Sequence, residues 1–208
     1  VDTFLATMTD EVIEQSLRQQ PKEVQSFSAA QIANTLKKRR DYFRQEMIEY
    51  YRFLAKEVAV VGSNQREQFT VTKSSDGAVH VVVNKIDKEQ NISSKIYDRV
   101  FTPDVTDEVN LYGLNDDDRF ILEGGDSPIK IRLIGGSGGD EFINSGTGGS
   151  IILYDASFEK NKLVGDSTAL TNRISRDPQV NQYNRLGYKY DHIVPSVSAG
   201  YNIDDGLF

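Results

Sequence analysis

Leu111-Tyr112-Gly113, followed by Asp118-Arg119-Phe120, returns as Leu133-Ile134-Gly135, followed by Asp140-Glu141-Phe142. The offset is 22 residues at each of these positions. A weaker copy of the first half stands at Leu153-Tyr154-Asp155. A fixed period of this length marks stacked structural units, each too small to bury its apolar face alone. Bends at Gly113 and Gly135 divide the units into short strands, expected at 109–112 and 119–122, at 129–134 and 141–143, and at 150–154. Stacked in parallel at the usual strand spacing, Leu111, Leu133 and Leu153 form one apolar ladder, and Phe120 over Phe142 forms another. The stretch reads as a short, glycine-rich, β-solenoid-like segment.

Upstream of it the period changes twice. Thr9 precedes Asp10-Glu11 and an apolar pattern that Pro21 stops, so a short helix is expected over 9–19. Ser28-Ala29-Ala30-Gln31 has the form of a capping box. Apolar residues then recur at Ile32, Leu36, Phe43, Met47, Tyr50, Leu54 and Val58, mostly three or four apart, which predicts a long helix over 28–58. From there the spacing is two. Phe69 and Val71, the turn Ser74-Ser75-Asp76-Gly77, then Val79, Val81 and Val83 read as a hairpin, with another strand over 95–101. The fold class expected is α+β: N-terminal helices, one of them long, packed on a small antiparallel meander, then the solenoid-like segment. A helical part (1–60) and a β part (61–158) should form one continuous body, because so few coils expose apolar ends and strand edges when alone. Residues 159–208 read as an extended polar linker, draped over the body by its tyrosines. Its end, from Ile193 to Phe208, alternates like the approach to a strand-rich structure.

Composition narrows the function. A formal charge of −7 argues against a nucleic-acid surface, which needs a basic face. With no cysteine, disulfides and thiolate metal sites are excluded. No apolar run is long enough for a membrane helix or a signal peptide. The abrupt opening on Val1 and the stop at Phe208 read as the cut ends of a longer protein.

Gly135-Gly136-Ser137-Gly138-Gly139-Asp140-Glu141-Phe142-Ile143 matches the nonapeptide of calcium-binding β-rolls. In that reading the carbonyls of Gly136 and Gly138 and the carboxylates of Asp118 and Asp140 are metal ligands. Against it, one complete turn supplies too few of the oxygens that calcium takes. The alternative is a glycine-rich bend whose aspartate satisfies backbone amides. The same stretch holds Gly-x-Ser-x-Gly around Ser137, but a nucleophile elbow needs a helix after it, and residues 140–149 cannot propagate one. His192 could act only as a distant base. His80 stands among strand valines and is expected on the solvent face. Lys37-Lys38-Arg39-Arg40 is expected to pair with nearby acids on a solvated helix face. No P-loop and no His-centred metal cluster is present in the sequence.

Several stretches resemble the region between two parts of a bacterial family: a calcineurin-like metallophosphoesterase and a surface-antigen-type outer-membrane β-barrel. They are Leu36-Lys37-Lys38-Arg39-Arg40-Asp41, Tyr50-Tyr51-Arg52-Phe53-Leu54-Ala55, Val60-Val61-Gly62-Ser63 and Glu67-Gln68-Phe69. Tyr97-Asp98-Arg99-Val100-Phe101, Leu111-Tyr112-Gly113-Leu114, Asp117-Asp118-Arg119-Phe120 and Ile131-Arg132-Leu133-Ile134-Gly135-Gly136 fit the same pattern. Gly200 to Phe208 resembles the lead into the barrel's first strand. The resemblance implies the cell envelope, at the outer membrane; the side, periplasm or exterior, is left open, with the periplasm as the default for a domain that precedes a barrel. It implies the upstream phosphoesterase and the downstream barrel as partners, with membrane contact only through the barrel. No catalytic residue carries over, since the phosphoesterase ligands would lie before Val1. The function expected is a non-enzymatic connector or interaction module without a cofactor. A calcium-dependent surface adhesion module and a Ser137 hydrolase are the alternatives.

Overall fold

In the computed structural model, residues 1–166, 168, 170–191, 195, 201–202 and 206–207 are described. They divide into two compact units, 1–56 and 57–208.

The first unit is helical: α1 (Asp2–Thr7), α2 (Asp10–Leu17), α3 (Lys22–Val24), a π-turn over Gln25–Ala29 and α4 (Ala30–Ala55). Thr9 caps α2, its hydroxyl accepting the Val12 amide at 3.3 Å. Ser28 does not form the expected capping box. Its hydroxyl donates back to the Val24 carbonyl at 3.2 Å, because the chain is already helical before it. The apolar stripe of α4 is half-buried at Ile32, Leu36, Phe43 and Met47 and exposed at Tyr50 and Leu54. Phe43 meets Phe4 of α1 with ring centroids 5.3 Å apart. Lys37 and Arg40 both reach Asp10 of α2, at 3.1 and 2.8 Å.

The second unit holds two sheets. One has the order β1 (Glu57–Val61), β5 (Glu108–Asn115), β7 (Lys130–Ser137), β9 (Ile151–Tyr154), β11 (Leu170–Asn172), parallel throughout. The other has the order β10 (Lys162–Gly165), β8 (Glu141–Asn144), β6 (Arg119–Gly124), β2 (Glu67–Lys73), β3 (Val79–Ile86), β4 (Ile92–Phe101). It is parallel from β10 to β2 and antiparallel from β2 to β4. The antiparallel meander therefore fits only in part. Val58, placed at the end of the long helix by its spacing, belongs to β1.

Outside the β3–β4 hairpin, successive strands pass from one sheet to the other. This places β1/β2, β5/β6, β7/β8 and β9/β10 as tiers in register. Val60, Leu111, Leu133 and Leu153 stand opposite one another, as do Phe69, Phe120 and Phe142. The phenylalanine rings stack at 4.8 and 5.0 Å, their planes nearly parallel. These ladders and Val71, Val79, Val81 and Val83 make one buried core between the sheets. What covers the meander's apolar face is thus the opposite sheet; the expectation that the long helix would do so is corrected. The period of two hides this, because it shows that a strand face is apolar and not what lies against it.

Of the residues after 158, read as a linker draped over the body by its tyrosines, the described ones also join the sheets. They supply β10 and β11 and a 3-10 turn over Pro178–Asn181, and then strap the outer face of the five-stranded sheet. Val180 and Tyr188 are buried there against Tyr112, Ile134 and Tyr154. The Tyr188 hydroxyl donates to the Val180 carbonyl at 2.7 Å. The Ile193–Phe208 stretch lies largely outside the described residues. Of it, Tyr201–Asn202 and Gly206–Leu207 pair antiparallel.

Candidate functional site

At the passage from one sheet to the other, each tier repeats a glycine and, five residues on, an acid: Gly62 and Glu67, Gly113 and Asp118, Gly135 and Asp140. The backbone amide of each acid donates to the side chain of its counterpart in the next tier. Glu67 N reaches Asp118 Oδ1 at 2.8 Å, Asp118 N reaches Asp140 Oδ1 at 2.7 Å, and Asp140 N reaches Asn161 Oδ1 at 3.0 Å. Asn161 takes the acid's place in the last tier. Glu67 turns back and accepts the Ser63 amide at 2.9 Å. The result is a continuous internal column of carboxyl groups joining tier to tier.

The glycines make room for it. A Cβ on Gly113 would overlap both Asp118 Oδ2 and the Gly135 carbonyl, and one on Gly135 would overlap Asp140 Oδ2 and Asp155 Oδ2. Gly135 does not have a positive φ; Gly136 does, at 111°. The glycine at 135 is therefore required by the close approach of two carboxyl groups and not by a left-handed bend. Leu114 and Asp116 carry positive φ of 82° and 75° in the tier below. They hold the same turn shape where the glycines have been replaced.

The column is almost fully buried: Asp140 and Asp155 are 0% exposed and Asp118 is 2% exposed. Burial pushes the Asp118 carboxyl up to about 9, and the charges of Asp140, Glu67 and Asp116 push the same way. Burial also raises Asp140 and Asp155, and Glu159 faces both. The Asn181 amide from the strap donates to Asp155 Oδ1 at 3.0 Å and partly offsets this. Asp118 Oδ2, Asp140 Oδ2 and Asp155 Oδ2 have no hydrogen-bond partner among the described residues.

Of the calcium-ligand residues read from the sequence, Asp118 and Asp140 are brought into one column, where each binds a backbone amide. The Gly136 carbonyl accepts the Asn181 side chain instead. Gly138 packs against the Asp116 backbone, where a Cβ would not fit. Among the described residues, no group of three or more His, Cys, Asp or Glu side chains is placed to hold a metal ion. Ser137 is the exposed last residue of β7, and β8 follows it where a nucleophile elbow needs a helix. His80 lies on the open face of β3, 2.7 Å from Asp98. His192 lies outside the described residues.

A cavity of about 120 Å³ opens beside Asp118 and Asp117, with Arg66, Arg119, Glu141 and Lys162 around it. Its arginines are paired: Arg119 with Glu141 at 3.1 Å, and Arg66 with Asp116 and Asp117. Sequence reading missed Gly62, Glu67, Asp155 and Asn161 as members of the column. The signal was present in Val60-Val61-Gly62 and Glu67-Gln68-Phe69, but the β3–β4 insertion moves that copy 51 residues upstream of Leu111 and out of the period. No family model, no curated protein and no solved structure matches this chain.

Proposed function

We propose that the second unit is a short β-solenoid and that the chain is a non-enzymatic extramembrane module, one that spaces or orients its neighbours in an outer-membrane protein. The observation carrying this reading is the tier register, which sets equivalent leucines, phenylalanines and acids over one another. The acids Glu67, Asp118 and Asp140 are turned inward, where they join tiers. Such stacks transmit force and hold distance, because each tier contacts only its neighbours. The neighbours in this reading are an upstream metallophosphoesterase and a downstream barrel, and the setting is the periplasm. The resemblance of the motifs supports that part.

The architecture is tested by adding a tier. A second copy of residues 108–129, inserted after Ile129, should fold and lengthen the particle by about 4.8 Å in small-angle scattering. Loss of cooperative unfolding, or no added length, would reject the solenoid. The setting is tested separately. The chain has no cysteine, so Lys88→Cys adds its one thiol in an exposed loop, and labelling is read against the unsubstituted protein. In cells carrying the full reading frame, a membrane-impermeant maleimide should label it only after the outer membrane is opened. Labelling that also requires rupture of the inner membrane would remove the envelope reading.

A further inference from the structure

We propose that the carboxyl column keeps protons at neutral pH, Asp118 as an uncharged acid and Asp140 and Asp155 sharing a proton between them, so that protons lock the tiers together and alkali loosens them. The geometry leads there. Each of the three residues has one carboxyl oxygen facing an interior with no donor to meet it. A buried carboxylate left that way is expensive, whereas a protonated carboxyl becomes a donor itself. Acceptors stand beside these oxygens. Asp118 Oδ2 and the Gly135 carbonyl border the same space next to Gly113. Asp140 Oδ2 and Asp155 Oδ2 border the same space next to Gly135. Two carboxyl groups so placed are held together by a shared proton and driven apart when both ionise. The Glu159 carboxyl also stands against Asp155, and that contact bonds only if one of the two carries a proton.

The surroundings do not supply the missing positive charge. Glu67 of β2 and Asp116 and Asp117 of the turn after β5 add negative charge near Asp118 and Asp140. Arg66 is taken up by Asp116 and Asp117, and Arg119 by Glu141. Lys160 and Lys162 border the outer side of Asp117 and Gly139. Asn181, from the strap, is neutral.

The direction of the effect follows from linkage. The folded chain keeps protons that the unfolded chain, with ordinary carboxyls near 3.8, has lost. The stability the column contributes is complete below that value. It falls as pH rises toward about 9, the value reached by Asp118.

The test compares the 208-residue chain with Asp118→Asn, which keeps the shape of a protonated acid and cannot ionise. Unfolding is followed by the strand signal in circular dichroism between about pH 5 and pH 8. The unfolding constant of the unmodified chain, divided by that of the variant, should rise about tenfold per pH unit. A ratio flat with pH overturns the proposal. Infrared spectroscopy of the unmodified chain guards against a variant that fails to fold. A protonated-carboxyl band at neutral pH, resistant to solvent exchange, is expected; its absence also overturns the proposal. Millimolar calcium should leave the alkaline loss of stability unchanged. Recovery with calcium would put a cation where we place protons, and the proposal would fall.

Discussion

Phe120→Ala measures how far the ladders hold the second unit together. Phe120 is fully buried at the centre of a ring stack, 4.8 Å from Phe69 and 5.0 Å from Phe142. Truncating a buried phenylalanine costs about 3–5 kcal/mol, the lost transfer energy and the cavity together. Each ring contact adds about 0.5–1.5 kcal/mol beyond area. Phe120 has a ring on both sides, and Phe142 has Phe120 on one side and Leu163 opposite it on the other. Phe120→Ala should therefore sit near 5 kcal/mol, and Phe142→Ala about 1 kcal/mol lower. Neighbouring strands fix the backbone on both sides, so the site has little freedom to collapse. Urea denaturation followed by the strand signal gives both values, with Phe27→Ala as the control, because Phe27 is 91% exposed. A loss under about 1 kcal/mol for Phe120→Ala would mean that the rings do not carry the stack. Equal losses at 120 and 142 would remove the argument from the doubled ring contact.

Gly135→Ala should destabilise strongly, since its methyl would meet two carboxyl groups, while Ser137→Ala, on the exposed end of β7, should stay within about 0.5 kcal/mol of the unmodified chain; similar melting temperatures for the two would place the acids elsewhere. Tyr188→Phe removes a buried hydroxyl bonded to the Val180 carbonyl at 2.7 Å and should cost about 1 kcal/mol and release the strap to proteolysis first; an unchanged cleavage rate would show that the strap is held by something else. In the helical unit, Thr9→Ala should lower stability by about 1 kcal/mol and Ser28→Ala by less than about 0.5 kcal/mol, because only Thr9 caps a helix. Helix content against temperature reads both, and a larger loss at Ser28 would restore the capping box.

The tiers themselves were legible in the sequence. A 22-residue offset that preserves leucine, glycine, aspartate and phenylalanine together leaves little choice but to stack the copies, and the strands lie within a few residues of where the pattern puts them. The bend reading of Asp140, a carboxyl that satisfies backbone amides, was also available from residue type alone. Gly135 was legible as an obligatory glycine, but for the wrong reason. A bend glycine and a glycine beneath a carboxyl pair look the same in a sequence.

Sequence by itself determined the local preferences: which segments are helical, which alternate, and which residues recur at equal spacing. These depend on contacts within a few residues or on a period that survives without interruption. Only the tertiary structure decided that β2 opens the stack, that the five-stranded sheet covers the meander, that β10 and β11 after residue 158 join the two sheets, and that four inward acids and an asparagine meet in one column. Each of those depends on residues 20 or more positions apart. An inserted hairpin erases a period without disturbing the register, since strand pairing responds to distance in space and not to separation along the chain.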